Sequence, residues 1–322
     1  MFSCKICGNQ KNNHPFLAKE MMFGTKDKFN YFCCANCGCV QIIEIPQNIS
    51  DYYSNNYYSL QDVKAKISNP IKLFFKKSIL RPILLGNSFL LIFIPQEYKS
   101  SLGFNWQWFR KTKVGSSSEI LDVGCGSGHT LNHLAGYGFE NLTGIDPYIK
   151  KDIHYANGVK VYKKQLGDLE GKYDFIMLHH SFEHMSDPLA ALNDINRLLT
   201  VEGKVLVRIP IASSYAWKKY KENWVQLDAP RHFFIHTPKS IGILCRKSGL
   251  KIIDVTYDSH ELQFYGSEQY LKGIPLFSKK SYMVNPKESI FSPRKIEQFK
   301  KKAEILNRIG KGDQAAFWIE KI

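Results

Sequence analysis

At 322 residues and 44% apolar content, the chain has room for two domains and ample material for buried cores. It carries 44 Lys and Arg against 29 Asp and Glu, a net charge of +15, which points to an anionic partner without choosing among nucleic acid, a membrane surface and a phosphate-bearing substrate. A bilayer span is excluded, because the most lipid-like stretch, Ile79 to Ile94, is interrupted by Arg81, Pro82 and Asn87.

Met1 leads directly into Cys4 with no basic start and apolar run, so no secretory leader is expected and a cytoplasmic location is. The first element in chain order is a zinc ribbon over residues 1–45. Cys4-Lys-Ile-Cys7 and Cys34-Ala-Asn-Cys37 are two C-x-x-C knuckles, each followed by glycine. Two residues between thiolates let both sulfurs reach one tetrahedral ion, so Cys4, Cys7, Cys34 and Cys37 are the expected ligands of a structural Zn²⁺. Cys33 and Cys39 are spares beside the second pair, and each is an alternative to an expected ligand. A redox C-x-x-C needs a βαβ setting that the surrounding strand-like segments do not provide. Lys5, Lys11, Lys19, Lys26 and Lys28 make no compact stripe with aromatic stacking partners, so the ribbon reads as a structural cap or interaction module and no nucleic acid is expected.

An aromatic and basic helical connector spans 46–115. Its apolar stretch, preceded by Lys72, Lys76 and Lys77, reads as a buried connecting helix, with peripheral contact to an anionic membrane surface as the alternative. Gly115-Ser-Ser-Ser118 then gives a flexible entry to the next domain.

The most informative segment follows. Glu119-Ile-Leu-Asp-Val-Gly-Cys-Gly-Ser-Gly-His-Thr130 reads as a buried strand, a glycine turn and a helix, and Asp146 closes a second strand in Leu142-Thr-Gly-Ile-Asp-Pro-Tyr148. Glycine at 124, 126 and 128 lets the backbone pass close to a ligand, and a carboxylate at the end of the second strand suits ribose hydroxyls. A dinucleotide-binding dehydrogenase is disfavoured by the acid Asp122 on the strand and by His129 where a third glycine would stand. Leu121-Asp-Val-Gly-Cys-Gly-Ser-Gly128 resembles motif I of the class I S-adenosylmethionine-dependent methyltransferases. The resemblance implies that Asp122, Gly124, Cys125, Gly126 and Gly128 approach the methionine part of the cofactor, and that Asp146, followed by Pro147, holds its ribose. His179, at the end of the fourth strand, would face the methyl donor. No acid stands at the expected place after the third strand, and the adenine contact is unassigned.

Strands are predicted at 119–123, 141–145, 158–162, 173–178, 203–209, 251–257 and 314–320, alternating with helices. The expected fold is α/β: a Rossmann-like class I methyltransferase sheet over 116–322, parallel with one antiparallel edge strand supplied by the last segment. An insertion at about 259–312 contains a helix from Ser292 to Ile309 with a basic outer face.

Ligands of open α/β sheets bind beyond the carboxyl ends of the strands, and the fourth strand ends in Met177-Leu-His-His-Ser-Phe-Glu-His184. His180 or His184 is the candidate general base, with Glu183 orienting it. His180-x-x-Glu183-His184 imitates an H-x-x-E-H metalloprotease signature, which requires one helix face rather than a strand end. The segment is also similar to that of ubiquinone-pathway O-methyltransferases, in which two acids and a histidine hold a divalent ion; His180 in place of the first acid weakens the case for Mg²⁺. A second cluster comprises Asp228, Arg231, His232 and His236, where Arg231 suits a carboxylate or phosphate and His232 is a rival base. Asp228-Ala-Pro-Arg-His232 resembles the corresponding stretch of a bacterial methyltransferase subfamily associated with polysaccharide genes. That resemblance implies O-methylation of a sugar or nucleotide-sugar acceptor in polysaccharide biosynthesis. C-methylation of a nucleotide-linked keto-sugar is the nearest rival, and a zinc-ribbon binding protein with a vestigial cofactor fold is the non-enzymatic one.

Overall fold

The computed structural model describes residues 2–53, 107–112 and 114–322. Most of the connector, including Ile79 to Ile94 with its membrane-surface alternative, lies outside the described residues. The chain divides into two compact units. One takes residues 55–181, 190–207 and 318–322; the other takes 1–54, 182–189 and 208–317.

The first unit holds the parallel strands. Glu119–Val123 (β4), Asn141–Ile145 (β5), Lys160–Tyr162 (β7) and Tyr173–His179 (β8) pair in parallel: β4 with β5 and β8, and β5 with β7. Covered on both faces, such strands read as continuous apolar runs, and Ile120, Leu121 and Phe175 to Leu178 are completely buried. The helix after β4 is His129–Ala135 (α1), which buries Leu131 and Leu134. Pro188–Leu198 (α2) follows β8 and leads into Leu199–Pro210 (β9). Leu250–Tyr257 (β11) and Gln314–Lys321 (β12) are eight-residue strands later in the chain. The complete sheet has the order β11-β12-β9-β8-β4-β5-β7, with Ile153–His154 (β6) antiparallel to β7 at the far edge. This is the expected Rossmann-like methyltransferase architecture with an antiparallel edge, but the edge is not the last strand. Segment 314–320 lies inside the sheet, between β11 and β9, and its buried Ala315-Ala-Phe-Trp-Ile319 run is what an interior strand requires.

The second unit contains the ribbon. His14–Lys19 (β1), Lys28–Cys33 (β2) and Val40–Ile42 (β3) form an antiparallel meander. Its fourth strand comes from far along the chain: Phe234–Ile235 (β10) pairs antiparallel with β3, matching Ile235 to Val40. The ribbon sheet therefore extends beyond residues 1–45. Tyr31 fixes the same junction by donating its buried hydroxyl to the His232 carbonyl at 2.9 Å. Pro238–Lys247 (α4) starts there, with Thr237 and Ser240 capping it reciprocally while the Thr237 hydroxyl donates to the Cys37 carbonyl. Tyr215–Tyr220 (α3) precedes it in the chain. The inserted segment folds into Leu262–Leu271 (α5) and Pro293–Arg308 (α6), joined by Phe264 stacking on Phe299. Ser292 is the N-cap of α6, and Ile296, Phe299, Ala303 and Leu306 supply its buried stripe.

Candidate functional site

The glycine turn and the acid strand are joined by a hydrogen bond. The Gly126 N–H donates to one carboxylate oxygen of Asp146 at 2.9 Å, and the Tyr148 N–H donates to the other at 2.8 Å. Gly124 and Cys125 both donate to the Ile145 carbonyl, so the turn is laid across the end of β5. Gly124 adopts φ +75°, and a Cβ there would lie 2.4 Å from that of Ser181, whose hydroxyl donates to the Val123 carbonyl at 2.6 Å. At Gly128, φ is +81° and an added Cβ would come within 2.8 Å of Val161. The first and last glycines are thus demanded by the protein's own packing as well as by any ligand.

Asp122 is buried on β4 two residues before Gly124. Burial, reinforced by the nearby Asp146 carboxylate, pushes its pKa up to about 7. Two carboxylates crowded at adjacent strand ends make a niche suited to a cationic, hydroxyl-bearing ligand. Cys125 contributes backbone rather than side chain, since its thiol packs against the β5 backbone at Gly144 and burial holds it protonated. Pro147 follows Asp146, half-buried. His179 stacks on Trp108 with ring centroids 4.1 Å apart, a partner not foreseen from the sequence. His180, next along, sits at φ +51°, an uncommon conformation for a non-glycine residue and one found at functional sites.

The four expected cysteines converge. Cys4 and Cys37 sulfurs lie 3.6 Å apart, as do those of Cys7 and Cys34, and all four lie within 4.8 Å of one another. A tetrahedral ion with metal–sulfur bonds of about 2.3 Å sets its sulfurs about 3.8 Å apart, so the quartet fits zinc. The Gln41 amide donates to the Cys4 sulfur at 2.8 Å, a contact that fixes the ligand from outside. Cys33 and Cys39 point to the Gly38 and Val40 carbonyls instead and take no ligand's place.

The remaining candidates gather in the ribbon-bearing unit. Phe182 to His184 form a short 3-10 turn, so the H-x-x-E-H spacing falls on no helix. Glu183 and His184 meet His232: one donor atom from each lies within 4.8 Å of the others. His180 does not belong to this group. The His232 Nε2 is 3.9 Å from Glu183 and 3.8 Å from Asp228. Burial, then the neighbouring His184, press the His232 pKa down to about 4 against the pull of the two carboxylates, so this ring is neutral at ordinary pH.

Arg231 requires a correction. Its expected role was to grip a substrate carboxylate or phosphate, but it is wholly buried and grips carboxylates of its own chain. It donates twice to Asp228, at 3.0 and 2.5 Å, once to Glu20 at 3.0 Å, and once to the Tyr52 carbonyl at 3.1 Å. Burial alone would raise the Asp228 carboxyl, but the Arg231 guanidinium outweighs it and holds that group below its usual range. Glu20 is itself saturated by the Phe23, Gly24 and Thr25 N–H groups. Arg231 is therefore a clamp between the ribbon and the 228–232 loop, and Asp228 is its counter-ion. Nothing in Lys19-Glu20-Met21 marks in sequence an acid whose partner stands at position 231. His236, buried against Phe182 and Phe234, is neutral for the same reason as His232, its pKa lowered to about 3 by burial.

A family profile described as "Methyltransferase domain" matches residues 93–255, half of the chain, and the chain belongs to that family. Among curated relatives, a tRNA U34 carboxymethyltransferase of Campylobacter hominis is 26% identical over 125 residues, covering 36% of this chain and 43% of that protein. The human EEF1A lysine methyltransferase 2 is 36% identical over 73 residues, covering 22% of this chain and 30% of its own length. The chain thus spans less than half of either relative. Among solved structures, a Mycobacterium tuberculosis cyclopropane synthase superposes with a TM-score of 0.41 at 16% identity, covering 64% of this chain and 78% of that one. Among the described residues, no helix is long and apolar enough to cross a membrane.

Proposed function

We propose that this chain is an S-adenosylmethionine-dependent methyltransferase that methylates a hydroxyl of a sugar or nucleotide-sugar, with a structural zinc ion in its ribbon. The observation that carries the reading is the Gly126 N–H bound to the Asp146 carboxylate, which joins the glycine turn to the acid at the end of the next strand. When bound, S-adenosylmethionine supplies a methyl group activated by its sulfonium charge. Asp146, oriented by two backbone N–H groups, accepts from the ribose hydroxyls. Asp122 adds negative charge for the cationic part of the same ligand. Cys4, Cys7, Cys34 and Cys37 hold the zinc, whose role is to fold the ribbon.

The acceptor's proton has to leave as its oxygen is alkylated. His184 and His232 are imidazoles of the kind that accept it, with Glu183 beside them, and His180 is the other candidate. Arg231 and Asp228 support the loop that carries His232. The acceptor class rests on the resemblance of the 228–232 stretch to the polysaccharide-associated subfamily. A cytoplasmic location and polysaccharide biosynthesis follow from the same reading.

The test is calorimetric titration of zinc-loaded protein with S-adenosylmethionine, alone and with a panel of nucleotide-sugars. Because a curated relative is named for tRNA, bulk tRNA belongs in the panel. Micromolar cofactor binding that Asp146→Ala abolishes is the expected result, together with a nucleotide-sugar that tightens it. Folded protein that binds no cofactor would overturn the enzyme reading in favour of a binding module. Tightening by tRNA alone would overturn the acceptor.

A further inference from the structure

Each histidine of the Glu183–His184–His232 group has its proton placed by the backbone. The Nδ1 of His184 lies 2.8 Å from the Arg231 carbonyl oxygen, and the Nδ1 of His232 lies 2.8 Å from the Gln226 carbonyl oxygen. A carbonyl only accepts, so in both rings Nδ1 carries a hydrogen, and Nε2 is the nitrogen whose lone pair can be offered to an ion. This is the outer-sphere arrangement that metal-binding imidazoles adopt, one nitrogen donating to the protein so that the other faces the ion. Tyr53 also reaches the His184 Nδ1 at 3.1 Å, and the Glu183 backbone carbonyl accepts from the Phe233 N–H at 2.9 Å. Ligands from two distant stretches of chain are thereby fixed in place.

The separations suit an ion better than direct contact. His232 Nε2 and Glu183 Oε1 are 3.9 Å apart, beyond hydrogen-bonding distance. Ligands about 2.0–2.2 Å from one ion fall roughly 3–4 Å apart. The two imidazoles meet nearly edge to face, with centroids 4.7 Å apart and planes at 72°, so their lone pairs are not parallel. Glu183 and His232 are buried and His184 is half-buried, which leaves His184 as the side from which an ion or a small oxygen ligand enters. Asp228 is 3.8 Å from His232, but its carboxylate is committed to Arg231 and it acts as a neighbouring charge rather than a ligand.

We propose that Glu183, His184 and His232 form a second divalent-metal site, separate from the four thiolates, with two imidazole nitrogens and one carboxylate as ligands. Two nitrogen donors select a borderline ion of the Zn²⁺, Co²⁺ or Ni²⁺ kind over Mg²⁺ or Ca²⁺, which take all-oxygen shells. Three protein ligands leave positions open for water or an acceptor oxygen. Binding an ion and accepting a proton use the same lone pairs, so a loaded site would act on a hydroxyl by coordinating it. The site itself does not depend on the methyl-transfer reading, because its readout is metal binding.

The experiment starts from full-length protein with zinc in the ribbon and is made without S-adenosylmethionine. Titration with Co²⁺ or Ni²⁺ should show one further equivalent beyond the ribbon ion. The Co²⁺ form should show weak ligand-field bands without the intense thiolate charge-transfer absorption of a four-cysteine site. Glu183→Gln and His232→Gln should each weaken this second equivalent by about 100-fold or more and leave the ribbon ion in place. His184→Gln, at a half-buried position, should do the same and serves if the buried variants do not fold. A single equivalent in folded wild-type protein would overturn the proposal, and so would unchanged affinity in folded His184→Gln. Either result is independent of whether cofactor binds.

Discussion

The glycine turn and the histidine cluster place comparable numbers of polar groups together by opposite routes. In the turn, a contiguous run from Asp122 to Gly128 does most of the work with backbone atoms, and only Asp146 is brought in from the next strand. In the cluster, the side chains come from Glu20, the 183–184 turn and the 228–232 loop, and they are held by buried charge pairing. A backbone device is specified by where side chains are missing, so its spacing survives in the sequence. A side-chain device is specified by who meets whom, and a charged residue in it does not say whether it faces a ligand or its own fold.

The sharpest way to break that contrast is at Arg231. Arg231→Ala leaves the Glu20 and Asp228 carboxylates buried without their cation, and removing one partner of such a group costs about 3–5 kcal/mol. Urea denaturation should show this as a lowered midpoint with little change in slope. A substrate-gripping arginine would give near-normal stability and a loss confined to acceptor binding. Combining Arg231→Met with Glu20→Gln and Asp228→Asn should recover much of the loss, since the penalty belongs to the unpaired charges.

The turn offers the smaller, steric counterpart. In Gly124→Ala the new Cβ would lie 2.4 Å from the Ser181 Cβ at φ +75°. Overpacking of this kind costs about 1–3 kcal/mol, and the left-handed backbone adds roughly 1–2 kcal/mol. Pairing it with Ser181→Gly should relieve the first part and not the second. A double-mutant cycle by thermal or urea unfolding measures the coupling. A coupling near zero would mean that the glycine serves ligand approach alone.

What the sequence made legible follows the same division. Strands β4 and β8 were readable because both faces are buried, which turns them into unbroken apolar runs. The cysteine quartet was readable because knuckle spacing reflects the geometry of one ion, and the structure brings those four sulfurs together. The place of Gln314–Lys321 inside the sheet was not readable, since an interior and an edge strand differ in their neighbours more than in their residues. The ribbon's fourth strand, Phe234–Ile235, is two residues long and defined only by its pairing with β3. The role of Arg231 was not readable because one carboxylate partner, Glu20, lies 211 positions away and the other, Asp228, stands three residues before it without resembling a partner. Asp228-Ala-Pro-Arg231 looks like a binding loop when its internal ion pair is unseen.

The finest distinction concerns whether the turn also binds, and it can be drawn from Asp122 by pH alone. Its folded pKa of about 7 lies above the ordinary aspartate value of 3.8. Between those values the folded protein holds a proton that the unfolded chain has lost. The group's stabilising contribution is thus complete below about 3.8 and is lost as pH rises through 7. A cationic ligand beside Asp122 reverses the preference, because it favours the carboxylate. S-adenosylmethionine affinity should therefore rise as pH increases towards 7, by up to about tenfold per unit, and level off above it. Calorimetry at pH 6 in buffers of different ionisation enthalpy should register proton release on binding. Asp122→Asn should abolish both the pH dependence and the released proton while leaving the Gly126–Asp146 link in place. Cofactor binding that is flat with pH in the wild-type protein would show that Asp122 is a structural acid kept neutral by its burial, and the turn would then owe its ligand specificity to Asp146 alone.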